Sequence, residues 1–332
     1  MKQGETDILE NDILKKYPEV LNILLCDQTT NRNIFWATDN YQYLGDDYKF
    51  LSLIKIGLIT GKNNKVIMPR VLKNKTLQNT RIKNMAEVYT PAWICNAQNN
   101  QVDNAWFQRK DLFNKETDLS DSGLKWKTNF KKIIFPKNKT WRDYVKDMRL
   151  EIACGEAPYI TSRYDTTTGK FIPVKERVGI LDRKLRIINE NVSSLKEWAS
   201  AAQIAYQSIY GYEWQGDSLL LAREAMLYTF IENYALKFGK NPEVKSIKSI
   251  ANIISWNVWQ MDGLKGVIPN SCKEESSTTI DTFGGKTVSK SKCLGCTNND
   301  IKKHNGIYCV IKDWSVNGKK GREITFIELL KS

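Results

Sequence analysis

The sequence predicts an α/β protein whose central sheet is mostly parallel. Short apolar segments and helical patterns alternate in the order strand–helix–strand–helix–strand, which is typical of a parallel sheet with helices packed on it. The chain has 332 residues, of which 41% are hydrophobic and 11% aromatic. This composition is sufficient to bury a large core and excludes a disordered protein.

The first 84 residues predict a mixed α/β extension (1–84). Apolar side chains recur at helical spacing over residues 8–25, and the segment containing Phe35 and Trp36 favours a strand that leads into an aromatic loop. The following residues, 85–107, predict a turn and then an amphipathic helix. Thr90 is suited to cap that helix, and Pro91 suits its first turn.

Residues 85–270 contain the alternating strands and helices, with a polar and basic insertion at 108–148. The first strand begins near Arg149 and ends in a glycine-containing turn. Apolar periodicity then predicts a helix over 178–192, a helix from 195 that runs into a strand over 208–212, a helix over 216–238, and a helix, strand and loop over 247–266. Residues 271–332 differ in composition and predict a small, basic Cys/His module.

The ends of the three predicted strands carry groups suited to a nucleoside ligand. The first strand ends in the small turn Ala153–Pro158, where backbone amides can approach a ligand closely. Glu213 ends the second strand, where an acid can accept both ribose hydroxyls. Asp262 follows the third strand and can accept a hydrogen bond from the exocyclic amine of an adenine. In an open α/β sheet, ligands bind at this edge.

These residues resemble the gamma-class adenine DNA methyltransferases, which include modification subunits and fused enzymes of restriction systems. A (Phe/Tyr)-Thr-Pro motif of that family is matched by Tyr89-Thr90-Pro91, and its Asp-Pro-x-Cys-Gly-x-Gly loop by residues 151–157. The family's acid after the second strand matches Glu213, and its Asp-x-Leu matches Asp262 and Leu264. The resemblance covers roughly residues 85–270 and extends to proteins called restriction endonuclease subunit M.

The resemblance implies a class I S-adenosylmethionine-dependent methyltransferase core of the Rossmann-like type. It implies binding of S-adenosylmethionine and of double-stranded DNA. The implied cofactor contacts are Tyr89, Thr90, Pro91, Glu151, Ala153, Cys154, Gly155, Glu156, Glu213 and Asp262. The sequence departs from the family pattern at Ala157, which replaces the second glycine of the loop, and Asp182 is a competing acid.

The motif that performs methyl transfer in that family is absent from the sequence. The family holds a flipped adenine with (Asn/Asp)-Pro-Pro-(Tyr/Phe), but none of the eight prolines is next to another. The nearest segment is Ile268-Pro269-Asn270-Ser271, which has no aromatic residue. The catalytic residues are therefore unassigned. Either a second subunit supplies the catalytic or target-recognition region, or the chain binds the cofactor without transferring a methyl group, or the chemistry is unfamiliar.

The C-terminal module contains a pattern typical of a structural zinc site. Cys293 and Cys296 are separated by two residues, one of which is a glycine, and His304 and Cys309 follow. Two thiolates of this spacing resemble half of a zinc knuckle, and a second pair completes a tetrahedron. Cys272 is an alternative for one of the four ligands. Four unconnected residues in a polar tail remain the simpler alternative.

Positive charge predicts a polyanionic partner. The chain has 50 Lys and Arg against 37 Asp and Glu, a net charge of +13. Within the insertion, aromatic rings alternate with lysines, a combination that suits nucleic acid. The rings are Trp126, Phe130, Phe135, Trp141 and Tyr144. The alternative is an ordinary insertion whose rings are buried.

Other features limit the class of protein. No apolar run is long enough to span a membrane, so no membrane partner is expected, and the first residues lack the apolar region of a signal peptide. Seven unevenly spaced cysteines suit the reduced cytoplasm better than a disulfide framework. No phosphate loop or convincing nuclease signature occurs.

Two hypotheses follow from the sequence. The first is a DNA adenine methyltransferase, or a modification subunit, of a restriction-modification or defence system. The second is a catalytically inactive methyltransferase-like module that binds DNA. Methylation of RNA is a third and weaker alternative, since RNA methyltransferases share the core fold.

Overall fold

The structure, a computed structural model, describes residues 6–73, 90–118, 125–280, 286–316 and 320–331, and has a mixed α/β fold. Its helices are α1 (Glu10–Lys16), α2 (Pro18–Leu25), α3 (Ile56–Ile59), α4 (Ala92–Phe107), α5 (Trp141–Lys146), α6 (Ile180–Asn191), α7 (Leu195–Gln207), α8 (Gly216–Phe238), α9 (Val244–Asn257) and α10 (Leu294–Asn298). Its strands are β1 (Cys26–Asp27), β2 (Arg32–Asn33), β3 (Asn114–Glu116), β4 (Trp126–Thr128), β5 (Arg149–Glu151), β6 (Ile209–Glu213), β7 (Val258–Gln260), β8 (Glu275–Ile280), β9 (Lys286–Ser291), β10 (Val310–Asp313) and β11 (Arg322–Thr325).

Strands β5, β6 and β7 form the parallel sheet that the strand–helix alternation predicts. Arg149 pairs with Ile209, and Gly211 pairs with Val258, so β6 is the middle strand and β5 lies at an edge of the described sheet. Helices α6 and α7 connect β5 to β6, and α8 and α9 connect β6 to β7. The carboxyl ends of all three strands therefore lie at the same edge of the sheet.

Helix α8 lies at the centre of the protein. Most of its residues from Gly216 to Ile231 are buried, which is why its sequence is apolar on nearly every face. Its buried Arg223 donates hydrogen bonds to the carbonyl oxygens of Val258 (2.8 Å) and Cys26 (2.9 Å). This single side chain therefore joins the helix to the sheet and to the N-terminal segment.

The N-terminal segment packs into the same hydrophobic core as the sheet. Helix α2 lies against α8 and α9, and Trp36 is fully buried. Gly216 allows a close approach there, since a Cβ atom at this position would lie 2.1 Å from the carbonyl oxygen of Phe35. The predicted extension is therefore not separated from the rest of the core. Its predicted boundary at residue 84 lies outside the described residues.

Helix α4 begins one residue later than its sequence predicts. Pro91 is the residue before the helix, and the side chain of Thr90 does not cap it. Asp165, from a distant loop, accepts the amide hydrogen of Ala92 at 2.8 Å, and Thr166 donates to the carbonyl oxygen of Thr90 at 2.9 Å. A loop distant in sequence therefore supplies the cap that Thr90 was expected to provide.

The C-terminal module consists of the antiparallel hairpins β8–β9 and β10–β11 with α10 between them. It packs on the end of the parallel sheet through a small apolar cluster. The cluster contains Trp259, Met261, Ile268, Cys309, Ile311, Ile324 and Phe326. Among the helices of the described ranges, none combines the length and apolarity needed to cross a membrane.

The insertion contains the short antiparallel pair β3–β4 and helix α5. Trp126 and Tyr144 are buried, and Phe135 packs against the main core. Phe130 is 69% exposed. The alternative of buried rings therefore holds for most of the interleaved aromatic residues, and Phe130 is the exception.

Candidate functional site

A cavity of about 610 Å³ opens at the carboxyl ends of β5 and β6. It is lined by helix α4, by β5 and the turn that follows it, by the first residue of α6, and by the region where β6 leads into α8. The lining residues are Thr90, Gln98, Asn99, Val102, Arg149, Leu150, Glu151, Ile152, Ala153, Cys154, Gly155, Glu156, Pro158, Tyr159, Ile160, Ile180, Glu213, Gln215 and Ser218.

The turn after β5 has an unusual backbone. Ala153, Gly155 and Ala157 all have positive φ angles, of 48°, 54° and 59°. Side chains rarely tolerate this conformation, and such residues concentrate at functional sites. The amide of Cys154 donates to the carbonyl oxygen of Tyr212 at 2.8 Å, which fixes the turn against β6. The small-residue turn predicted from the sequence therefore forms one wall of the cavity.

Glu213 holds this turn in place from the end of β6. Its Oε2 accepts the amide hydrogen of Gly155 at 2.8 Å, and its Oε1 accepts that of Gln215 at 3.1 Å. Burial raises the pKa of this carboxyl group, and the hydrogen bonds from Gln215 and Gly155 oppose the shift. Since each carboxylate oxygen can accept more than one hydrogen bond, Glu213 retains capacity for a ligand in the cavity.

Glu151 is a second acid in the cavity wall. Its carboxylate accepts the amide hydrogens of Ile160 at 3.1 Å and Tyr159 at 3.4 Å. Burial raises the pKa of Glu151 to about 8, against the lowering effect of these hydrogen bonds, and the charge of Glu213 adds to the increase. Two acids in one partly enclosed cavity favour a ligand that donates hydrogen bonds or carries positive charge.

Glu156 also lines the cavity, but its carboxylate is engaged by the protein. It accepts hydrogen bonds from the amide of Arg70 at 2.7 Å and from the hydroxyl of Tyr164 at 2.5 Å. The competing acid Asp182 is not a lining residue. It accepts the amide hydrogen of Ser162 at 2.8 Å, and burial raises its pKa to about 6.

Most of the predicted cofactor contacts meet in this one cavity. Those that line it are Thr90, Glu151, Ala153, Cys154, Gly155, Glu156 and Glu213. Pro91 and Asp262 do not line it, and Tyr89 lies outside the described residues. The Asp262 carboxylate accepts the amide hydrogen of Leu264 at 3.1 Å and pairs with Lys265 at 3.2 Å. An adenine contact by Asp262 stays a prediction.

No sequence motif predicts the helix α4 residues that line the cavity. Gln98, Asn99 and Val102 lie on one side of that helix, and Val102 is 41% exposed. Two polar residues followed by an exposed apolar residue are a weak signal for a binding site. Apolar periodicity alone does not distinguish this pattern from that of an ordinary surface helix.

The segment Ile268–Ser271, which comes closest in sequence to the catalytic motif, forms a turn outside the cavity. Asn270 has a φ of 57°, and the amide of Ser271 donates to the carbonyl oxygen of Ile268 at 3.1 Å. The Ser271 hydroxyl accepts the amide hydrogen of Ile307 at 3.0 Å. The turn leads directly into Cys272 and so belongs to the Cys/His module.

Cys272, Cys293, Cys296 and His304 form a cluster that can hold a metal ion. Their ligand atoms all lie within 4.8 Å of one another. The sulfur atoms of Cys272, Cys293 and Cys296 lie 3.6, 3.7 and 3.7 Å from Nδ1 of His304. Tetrahedral zinc, with bonds of about 2.3 Å to sulfur and about 2.05 Å to nitrogen, separates these atoms by about 3.6 Å. The donor set and its spacing therefore fit zinc.

Cys309 was predicted as the fourth ligand, but Cys272 occupies that position. The sulfur of Cys309 donates instead to the carbonyl oxygen of Gln260 at 3.4 Å, and the side chain is fully buried in the apolar cluster beside β7. Burial raises the pKa of the Cys309 thiol well above its usual value. This environment suits a neutral thiol and not a metal-bound thiolate.

The local backbone explains the position of the other ligands. Cys293 precedes α10, and the amide of Cys296 donates to its sulfur at 3.4 Å. Hydrogen bonds from backbone amides lower the pKa of Cys293 to about 6, and the bond from Asn305 has the largest effect. Gly295 lets the histidine approach, because a Cβ atom there would lie 2.6 Å from the backbone nitrogen of His304.

No protein-family model matches this chain, and neither a curated protein nor a solved structure matches it. The fold and the two sites described above are therefore the basis for any assignment of function.

Proposed function

We propose that the cavity binds S-adenosylmethionine and that the chain takes part in adenine methylation of double-stranded DNA, within a restriction-modification or defence system. The observation that supports this most is the bond from Gly155 to Glu213. It joins the turn after one parallel strand to the acid that ends the next strand. Nucleoside ligands bind at this edge of open α/β sheets.

The size and chemistry of the cavity suit this cofactor. Its volume of about 610 Å³ is within the usual range for small-molecule sites. Glu213 would accept hydrogen bonds from ribose hydroxyls. The cationic part of the ligand would lower the raised pKa of Glu151 and so favour its charged form. Apolar contact would come from Val102, Ile152 and Ile180.

Methyl transfer would require a catalytic segment from a second polypeptide. The sequence lacks the family's catalytic motif, and Ile268–Ser271 does not line the cavity. Strand β5 has β6 on one side only within the described sheet. Leu150 of β5 and Ile152, the first residue after the strand, are 47% and 66% exposed at the cavity. An open strand edge with exposed apolar side chains is suited to a partner strand.

For the Cys/His cluster we propose a structural zinc ion. Four protein ligands close the coordination shell, which leaves no position for a substrate or a reactive water. The module has a small apolar core, so metal binding would supply part of its folding free energy.

The second candidate function is a catalytically inactive module that binds DNA. It is favoured by the absence of the catalytic motif together with the net charge of +13. In this case the cavity would be a structural remnant with no affinity for S-adenosylmethionine.

Calorimetric titration of the purified chain with S-adenosylmethionine tests the proposal. We expect micromolar binding that Glu213→Gln weakens at least ten-fold, since the amide group cannot replace a carboxylate toward two hydroxyl donors. Asp182→Asn is the matched control, because Asp182 is also a buried acid but lies outside the cavity. Absence of binding by the folded wild-type chain would leave the second candidate.

A further inference from the structure

Phe130 is an exposed aromatic side chain on a loop that the structure holds firmly. Its ring is 69% exposed. Arg186 of α6 donates hydrogen bonds to the carbonyl oxygens of the residues on either side, Asn129 at 2.5 Å and Lys131 at 3.1 Å. The backbone on both sides of Phe130 is therefore held in place, and its ring faces solvent.

Further bonds from the same region fix the rest of the loop. The amide of Asn129 donates to the carbonyl oxygen of Phe113 at 2.9 Å, and its side chain donates to that of Leu112 at 2.9 Å. Glu190 accepts the amide hydrogen of Ile133 at 2.9 Å and also binds Arg186 at 2.8 Å. An exposed ring does not contribute to the packing of the core. A ring on a rigid backbone loses less conformational entropy when it contacts a partner.

Exposed lysines follow Phe130 directly in the loop and occupy the two strands that come before it in the chain. Lys115 of β3 and Lys127 of β4 are direct cross-strand partners, and both are exposed. Like charges in this position destabilise a strand pair. Lys131 and Lys132 follow Phe130 and are also exposed. None of the four forms an ion pair with any residue in the described ranges.

We infer that Lys115, Lys127, Lys131 and Lys132, with Phe130 among them, form a binding surface for the backbone of double-stranded DNA. We call it the hairpin surface. Ammonium groups that form no ion pair within the described ranges suit phosphates, and the exposed ring suits contact with a base or a sugar. A polyanion also removes the repulsion between Lys115 and Lys127. The inference shares its DNA partner with the proposed function but uses no residue of the cavity.

The test is fluorescence anisotropy of a labelled DNA duplex of mixed sequence with the full chain, at about 50 and about 200 mM salt. We expect a variant with all four lysines changed to Gln to lose at least ten-fold in affinity at low salt. Each lost phosphate contact reduces the salt slope by about 0.9, so the slope should fall by about three to four. Phe130→Ala should weaken binding about five-fold or more and leave the slope unchanged.

The matched control carries the same loss of charge elsewhere. Lys15, Lys62, Lys240 and Lys245 are exposed and lie on other elements, so their change to Gln should cost less than three-fold. Equal losses in the two variants would show a general charge effect and overturn the hairpin surface. Absence of duplex binding by the wild-type chain, or preference for RNA, would also overturn it.

Unfolding curves of all variants exclude loss of structure as the cause. Titration with S-adenosylmethionine separates this inference from the proposed function. A chain that binds DNA through these lysines but has no affinity for the cofactor would retain the hairpin surface and refute the cavity assignment.

Discussion

The amide nitrogen of Gly155 lies 2.8 Å from Oε2 of Glu213, so the turn after β5 is bonded to the end of the neighbouring strand. The two residues are far apart in sequence and meet because β5 and β6 are adjacent and parallel. This contact gives the cavity its wall. The same carboxylate that we propose for ligand binding therefore also stabilises the turn.

We expect Glu213→Ala to lower the free energy of unfolding by about 1–3 kcal/mol, since it leaves the amides of Gly155 and Gln215 without their acceptor. Glu213→Gln keeps one acceptor oxygen and should lose less. Urea denaturation measures both values. Equal stability of the alanine variant and the wild-type chain would contradict a role for Glu213 in holding the turn.

Metal analysis of the purified chain should find one zinc ion per chain. Cys272→Ser and Cys293→Ser should lose the metal, because each removes one of four ligands. Removal of the metal with a chelator should lower the melting temperature by roughly 5–10 °C. Cys309→Ser is the matched control and should retain the metal, since its sulfur faces Gln260. A metal-free folded protein would refute the site.

The buried ion pair between Arg183 and Asp103 should be essential for stability. Their charged atoms lie 2.6 Å apart, and Arg183 also donates to the carbonyl oxygen of Val178 at 3.0 Å. We expect Arg183→Ala to cost about 3–5 kcal/mol, because it removes the nearest cation from a buried carboxylate that would keep only the Tyr144 hydroxyl at 2.8 Å and Arg149 at 3.9 Å. Arg142→Ala, which breaks an exposed pair with Glu197, should cost less than about 1 kcal/mol. Similar losses in the two variants by urea denaturation would disprove this difference.

Stability should decrease as the pH rises toward 8. Burial raises the pKa of Glu10 to about 8, a shift that its own backbone amide opposes and the charge of Asp7 increases. Glu224 is also buried with a raised pKa, Asp7 adds to the repulsion, and Arg163 lowers the pKa of Glu224. At pH values between the ordinary pKa of glutamate and about 8, the folded chain keeps a proton on Glu10 that the unfolded chain has released. The resulting stability is present at low pH and is lost as the pH rises through the folded-state pKa.

Glu10→Gln tests this relationship, because glutamine has a similar shape and no titration. The free energy of unfolding of the wild-type chain should fall between pH 5 and pH 8 with a slope of up to about 1.4 kcal/mol per pH unit for each proton. The variant should show a shallower slope. Parallel pH profiles would show that Glu10 does not titrate in this range.

The sequence predicted the helices of the central region accurately. The helix predicted over 216–238 is α8 with the same bounds, and the strand predicted over 208–212 is β6, displaced by one residue. These segments have strong apolar periodicity, which depends only on local spacing. The predicted start of α4 was less accurate, because its cap comes from Asp165, more than seventy residues away in the chain.

The sequence also could not predict which cysteine is the fourth ligand of the metal cluster. Cys272 and Cys309 both have sequence positions compatible with the fourth ligand. Only the packing of β10 against β7 turns Cys309 into the apolar cluster, and only the Ile268–Ser271 turn brings Cys272 beside His304. Spacing along the chain cannot distinguish them, since the difference depends on contacts between distant segments.

The sequence by itself determined the alternation of strands and helices, the small-residue turn, the acid at the end of β6 and the Cys-x2-Cys pair, because each is a local pattern. Tertiary structure decided which of these groups share a cavity, which cysteine completes the metal cluster, and that Arg186 holds the loop of the exposed Phe130. These properties depend on burial and on long-range hydrogen bonds, which arise only when distant segments pack together.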